Sequence, residues 1–171
     1  MKRARRAATE SGGAAGLAAS WLPAIAILGL HLTFATTYGI FRDELYYLSC
    51  AARLDWGYVD HPPLVALLTA IWTALFSDSL FALRALPALA VAGATGLVAA
   101  TARRLGGGPF AVTLAALAYG LAPVVLSLGS VLSMNAFDLL FWAALARVLV
   151  SLLDDGDERL WLAFGALAGL G

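Results

Sequence analysis

The chain has 171 residues, 61% of them hydrophobic and only 13% charged, with Lys+Arg and Asp+Glu balanced at 11 each. That apolar share, with a mean hydropathy of +0.85, lies well above the ~45–50% of a soluble domain. It excludes a soluble enzyme or nucleic-acid-binding domain and leaves an all-α, polytopic membrane protein, since several apolar runs approach the ~20 residues that cross a bilayer. A single cysteine, Cys50, excludes an internal disulfide, and no CxxC or zinc-ligand spacing occurs.

Residues 1–16 begin with Lys2, Arg3, Arg5 and Arg6 and then turn small and Gly-rich. They read as a basic, disordered cytoplasmic tail ahead of a span, the usual orientation signal. A cleaved leader is the competing reading; the long apolar core and the later spans speak against it. The first span is expected over 17–38, interrupted by Pro23 and His31. An ionisable residue at that depth is either packed and hydrogen-bonded or functional.

Residues 39–84 form the expected first outer loop. The periodicity predicts an amphipathic helix over 42–54 and a second helix over 62–76 opened by Pro62-Pro63. At about 1.5 Å per residue the second covers roughly 22 Å, short of the ~30 Å hydrocarbon core. It is therefore expected to lie in the interface, like the first. The next span, 85–102, then delivers Arg103-Arg104 to the cytoplasm, as the positive-inside bias requires. Gly106-Gly107-Gly108-Pro109 is a tight turn, and not a phosphate loop, because neither the preceding strand nor the Lys-Ser/Thr is there.

A span over 110–128 runs outward, and 129–137 is a short outer loop. A span over 136–153 returns, with Arg147 reaching toward the inner surface. The acidic run 154–159 reads as a solvated turn. A run over 160–171 is too short to cross, and it suggests the N-terminal portion of something larger.

This topology places Asp43, Glu44, Asp60, His61 and Asp138 on one outer side. Each has a structural explanation. Asp43 favours a helix N-terminus, Asp138 can cap the following helix, and Asp60-His61 can form a turn before Pro-Pro. Together they form a candidate site. Asp43 and Glu44 are adjacent and point about 100° apart on a helix, so one is expected to do chemistry and the other to support it. Arg42 and Arg84 are candidate phosphate partners on charge.

Asp43-Glu44, the Tyr-rich helix with Tyr46 and Tyr47, and Asp60-His61-Pro62-Pro63-Leu64 form an ordered set. Arg84-Ala85-Leu86-Pro87, Arg103-Arg104-Leu105-Gly106 and Met134-Asn135-Ala136-Phe137-Asp138 continue it. The set resembles the polyprenyl-phosphate-sugar-dependent glycosyltransferases of the GT-C fold. The groups it matches are the protein O-mannosyltransferase-like proteins (glycosyltransferase family 39) and the lipid A aminoarabinose transferases. The resemblance implies a GT-C-like bundle with two interfacial helices in its first extracytoplasmic loop. It implies Asp43 as general base on an acceptor hydroxyl. Glu44, Arg42, Tyr47, Asp60, His61, Arg84 and Asp138 would support it or bind substrate, with Asp60-His61 near the lipid phosphate or the acceptor.

The resemblance further implies a polyprenyl-phosphate-sugar donor, an acceptor protein, lipid or glycan, and a place in the cell membrane and envelope; the Ala-, Leu- and Gly-rich usage with far more Arg than Lys points to a high-GC bacterium. Some members of the wider fold use a divalent ion; here one is left open but not favoured, and no residue is assigned to metal. The rival reading is a polytopic transporter or a non-catalytic membrane subunit. Transporters place ionisable residues near the midplane, whereas the acids here gather at one surface.

Overall fold

The computed structural model describes residues 14–170, and the regular structure among them is entirely helical. The basic residues 2–6 of the expected tail lie outside the described residues. Among the described residues eight helices follow one another: α1 (Ala14–Phe34), α2 (Arg42–Ala51), α3 (Leu64–Phe76), α4 (Leu80–Arg104), α5 (Pro109–Gly120), α6 (Pro123–Gly129), α7 (Met134–Asp155) and α8 (Leu160–Leu170). Among the described residues α4 and α7 are long and apolar enough to cross a membrane, and α5 with α6 make a third span if the bent pair is counted as one.

α4 is the central element. It packs against α1, α7 and α5, and also against α3 and α6. Over its most apolar stretch 56% of residues are buried, against 22% for α7, so α7 leaves far more of its surface uncovered. Leu83, Leu86, Ala90 and Val91 of α4 meet Ile27, Tyr47, Val65, Val125 and Phe137 in one core.

Small residues set the approach of α1. A Cβ at Gly96 of α4 would lie 2.8 Å from the Trp21 ring, one at Gly120 of α5 would lie 2.6 Å from Ile27, and one at Gly129 of α6 would lie 2.7 Å from His31. Glycine lets neighbouring backbones come close where apolar burial gives no preference over lipid. The same contacts fix direction: Trp21 meets Gly96 and Ala35 meets Arg84, so α1 runs antiparallel to α4.

Four boundaries differ from the sequence-based expectation. α1 ends at Phe34, and 35–41 form a non-helical connection. α2 stops at Ala51 rather than at 54. α4 begins at Leu80, capped by Ser79, whose hydroxyl accepts from the Ala82 amide at 3.3 Å. Arg84 thus lies inside the helix, where an ion pair neutralises it. Finally, the helix expected over 110–128 is two helices bent by 63°. Pro123 is the cause: it cannot donate to the preceding turn, so α5 ends before it and α6 starts with it in the first turn.

The bundle has two chemically distinct ends. At one, Arg104 pairs with Asp154 at 3.5 Å and with Asp155, so the first part of the acidic run is the closing turn of α7, which Gly156 ends at φ 65°. At the other end lie α2, α3 and the starts of α4 and α7. α3 leaves and returns to this end. Its first turn shares a cleft with Asp138, while Ser77 and Asp78, just past its last residue, line a groove with Leu48 and Ala51 of α2. The Trp72 indole donates to the Ala82 carbonyl at 2.7 Å, tying α3 to α4.

Candidate active site

Glu44 and Arg84 form the best-defined feature of this end. Glu44 is fully buried and Arg84 nearly so. Arg84 Nε donates to Glu44 Oε1 and Nη2 to Oε2, both at 2.9 Å, a bidentate fork. Its remaining donors go to the Ala35 carbonyl at 2.8 Å, the Tyr38 carbonyl at 3.0 Å and the Gly39 carbonyl at 2.8 Å. The guanidinium also lies 5.1 Å from the Tyr38 ring centroid.

Glu44, third in α2, reaches back to accept from the Phe41 amide at 2.7 Å, as the acid of a capping box does. It also accepts from the Leu132 amide at 3.4 Å. Burial pushes the Glu44 carboxyl up, but its hydrogen bonds with Arg84, Phe41 and Leu132 outweigh that and hold it below its ordinary 4.5.

The latch therefore joins the α1–α2 connection, α2, α4 and the segment before α7. It also revises one expectation. Arg84 has spent all five donors on protein acceptors, which leaves none for a lipid phosphate. Arg42 has not: its side chain is 91% exposed, with one contact to Asp43 at 3.3 Å.

The adjacent acids differ as their helical spacing predicts. Glu44 points into the bundle. Asp43 is about half-exposed at the N-terminus of α2 with Arg42 beside it. A second group forms one turn further along α2. Tyr46 donates to Asp60 at 2.5 Å, which raises the Tyr46 pKa. Tyr47 is buried; burial raises its pKa, the Met134 backbone pulls the other way, and the charges of Asp60 and Asp43 add to the rise. Tyr47 thus lies between the two acids and the start of α7.

His61 fills the space between the tyrosines. Its ring stacks on Tyr58 with centroids 4.7 Å apart and meets Tyr47 at 5.0 Å and Tyr46 at 5.7 Å. The Tyr58 hydroxyl is bound to the Cys50 and Arg53 carbonyls at 2.9 and 3.0 Å, which folds the 52–61 connection onto α2.

Next to this group is a cleft of about 230 Å³ bordered by Pro62, Val65, Asn135, Phe137, Asp138 and Phe141, among others. Its wall is apolar on the α3 side and carries Asn135 and Asp138 in the first turns of α7. Asp138 is exposed there. Among the described residues no three His, Cys, Asp or Glu side chains converge to hold a metal ion.

The residues singled out by sequence thus meet at one end of the bundle, in the Glu44–Arg84 latch and three further groups. Asp43 with Arg42 is one, Asp60, His61 and Tyr47 another, and Asp138 at the cleft the third. The family model for dolichyl-phosphate-mannose-protein mannosyltransferases matches residues 60–171, well over half of the chain. The chain belongs to this family. No curated protein and no solved structure matches it.

Membership makes it an integral membrane protein and places it among mannosyltransferase-type membrane glycosyltransferases that draw on a lipid-linked sugar. The family match takes in Asp60, His61, Arg84 and Asp138, and it begins after Asp43 and Glu44. Tyr46 and Tyr58 belong to the same constellation, and sequence reasoning did not assign them. The signal was available: three tyrosines within fifteen positions of an acid-histidine pair, on a stretch too polar for a span.

Proposed function

We propose that the protein moves a hexose- or pentose-type sugar from a polyprenyl-phosphate donor to an acceptor hydroxyl on a protein, lipid or glycan. Asp43 is the general base. One observation carries this reading: of two neighbouring acids, Glu44 is fully spent in a buried latch, while Asp43 is left half-exposed on the same end as the cleft.

The chemistry is a displacement. The acceptor oxygen forms a bond to the anomeric carbon as the bond from that carbon to the phosphate oxygen breaks. The lipid phosphate leaves with the electron pair, and Asp43 takes the hydroxyl proton. A phosphate is already a good leaving group, so the protein mainly deprotonates, orients and balances charge. Arg42 is the cation placed to meet phosphate, and Asp60, Tyr47 and Asp138 border the space where substrates would sit.

The catalytic end faces the extracytoplasmic side. The sequence places four basic residues ahead of α1, and α1 starts at the end of the bundle that carries Arg103 and Arg104. By the positive-inside bias that end is cytoplasmic. The α2–α3 hairpin then lies on the outer surface, with Trp56 and Val59 fully exposed at its tip and Trp56 suited to the headgroup layer.

A transporter reading gains from the broken α5–α6 pair, since transporters bind cargo at discontinuous helices. Here the acids lie at the bundle end, and His31 packs on Gly129 beside that pair, which favours transfer at the surface. The test is Asp43→Asn in the full-length protein, assayed for transfer of labelled sugar from a polyprenyl-phosphate donor. Transfer should fall by the 10²–10⁴-fold typical of a lost general base with the fold intact. Undiminished turnover removes Asp43 from the mechanism.

A further inference from the structure

The cleft beside Asp138 is small for a sugar that is still joined to its phosphate. Its volume is about 230 Å³, whereas pockets that take in a small molecule run from about 300 to 1,000 Å³. Leu64 and Val65, in the first turn of α3, form part of its wall. Three observations show that α3 is held in this position against resistance.

The first is the backbone at its far end. Ser77 follows α3 at φ 73° and ψ 171°, and among the described residues it alone, glycine apart, has a positive φ. That region is essentially restricted to glycine, so a residue with a Cβ is strained there. The second is the Thr69 hydroxyl, which is fully buried and has no hydrogen-bond partner among the described residues. Leaving such a group unpaired disfavours the arrangement that buries it. The third is a void: a groove of about 550 Å³ runs between α2 and α3, lined by Ala51 and Ala52 on one side and Ala70, Thr73 and Ala74 on the other.

The groove lies behind α3 as seen from the cleft. Leu64 and Thr73 are nine positions apart, as are Val65 and Ala74, and nine steps of about 100° lead to the opposite side of a helix. A tilt of α3 away from Asp138 is therefore a tilt into free space between small side chains. The attachment to α4 sits at the other end. The Trp72 indole bond to the Ala82 carbonyl, 2.7 Å long, joins residues five positions to either side of Ser77. Among the described residues the central core takes one buried side chain, Val65, from α3, and a segment with few buried contacts opens at low cost.

We infer that α3 is a lid: it pivots at Ser77, and its first turn swings off the start of α7 into the α2–α3 groove to admit the donor's sugar and phosphate to the cleft. This rests on the glycosyltransferase reading above. The strain at Ser77 raises the energy of the narrow form, so the open form stays accessible without substrate. Once substrate is in place, its contacts with both walls offset that strain and hold the lid shut.

The test measures the tilt in the full-length protein in lipid nanodiscs, without substrate. Spin labels on cysteines replacing Leu67 of α3 and Leu149 of α7, both exposed, report the distance between the two helices in a cysteine-free background. Ser77→Gly holds φ 73° without strain. It should raise the share of the narrow form over the open one by about tenfold. Ser77→Ala removes the hydroxyl and keeps the strain, and its distances should match the parent's. A shift in the glycine variant alone supports the lid. One distance common to the parent and both variants overturns it. So does an equal shift in both variants, which assigns the effect to the lost hydroxyl that the Ser79 amide meets at 3.4 Å.

Transfer from farnesyl-phosphate mannose is the second readout. Its binding needs the open form, so the donor KM of Ser77→Gly should rise about tenfold as that form becomes rarer, with Ser77→Ala within about twofold of the parent. An unchanged donor KM beside a shifted distance means that the cleft fills without the lid, and overturns the gate. Parent protein that transfers no mannose from this donor refutes the glycosyltransferase reading, and the gate with it. That failure is seen in the parent's turnover, whereas failure of the lid is seen in the substrate-free distances.

Discussion

Replacing Glu44 by Gln tests whether the latch organises the catalytic end. The substitution keeps the shape and removes the charge. Four N–H groups converge on this carboxylate: two from Arg84 at 2.9 Å, and the amides of Phe41 and Leu132 at 2.7 and 3.4 Å. A glutamine oxygen can serve about half of them, and its NH₂ would face donors. More important, the buried Arg84 guanidinium would lose its counter-charge. Removing one partner of a buried pair costs roughly 3–5 kcal/mol, a large part of the 5–15 kcal/mol that holds a typical domain together.

Unfolding monitored by denaturant titration in mixed micelles should shift by that amount. The double variant Glu44→Leu/Arg84→Met should be less damaged than the sum of its single changes, because neither charge is then stranded. A Glu44→Gln protein within ~1 kcal/mol of the parent would refute the view that the pair is buried and coupled. Transfer activity should follow stability here, since Glu44 is assigned no chemistry.

The same latch predicts an acid limit. The Glu44 carboxyl is held below 4.5 in the folded protein, so its contribution is complete above that ordinary value and is lost as pH falls through the depressed folded one. Melting temperatures across the acid range should stay level down to about pH 4.5 and drop below it, and the drop should be absent in the Glu44→Leu/Arg84→Met double variant. At Gly120, a Cβ 2.6 Å from Ile27 should make Gly120→Ala cost about 1–3 kcal/mol by overpacking. Ile27→Ala, which removes the Cγ1 that this Cβ would meet, should cost less in the Gly120→Ala protein than in the parent; a neutral Gly120→Ala would mean that α1 and α5 are not in contact. Arg104→Ala should cost no more than about 1 kcal/mol by the same unfolding assay, because its partners Asp154 and Asp155 are solvent-exposed; a larger loss would show that this pair is part of the core.

Local chemistry was legible in the sequence, and long-range pairing was not. The polar stretch between two apolar runs, the Pro-Pro helix start and the short length of 62–76 announced two short helices in this stretch, and the structure has α2 and α3 there. The 100° between Asp43 and Glu44 announced that they would have different surroundings. Nothing in sequence tied Glu44 to Arg84, 40 positions away, so an arginine that neutralises a buried acid was read as a free phosphate partner. The same gap hid the start of α4 at Leu80: a charged residue was expected to lie outside the helix, and its partner let it lie inside. Pro123 was a visible signal for the break in the 110–128 helix, lost in an otherwise continuous apolar run. The tyrosines around His61 are exposed to different degrees and follow no single face, so periodicity did not group them.

The claim on which the account turns is that Asp43, Asp60 and Asp138 share one aqueous face of the membrane, opposite the Arg103-Arg104 turn. Single cysteines in a Cys50→Ser background test it at Val59 and Ser77, both exposed on the α2–α3 hairpin, and at Gly108, where an added Cβ meets no atom within 4 Å. With a membrane-impermeant thiol reagent applied to intact cells, positions 59 and 77 should label and position 108 should label only after the membrane is opened. Labelling of positions 77 and 108 from the same side would mean that α3 crosses the bilayer, and would separate Asp43 from Asp138 and dissolve the shared site.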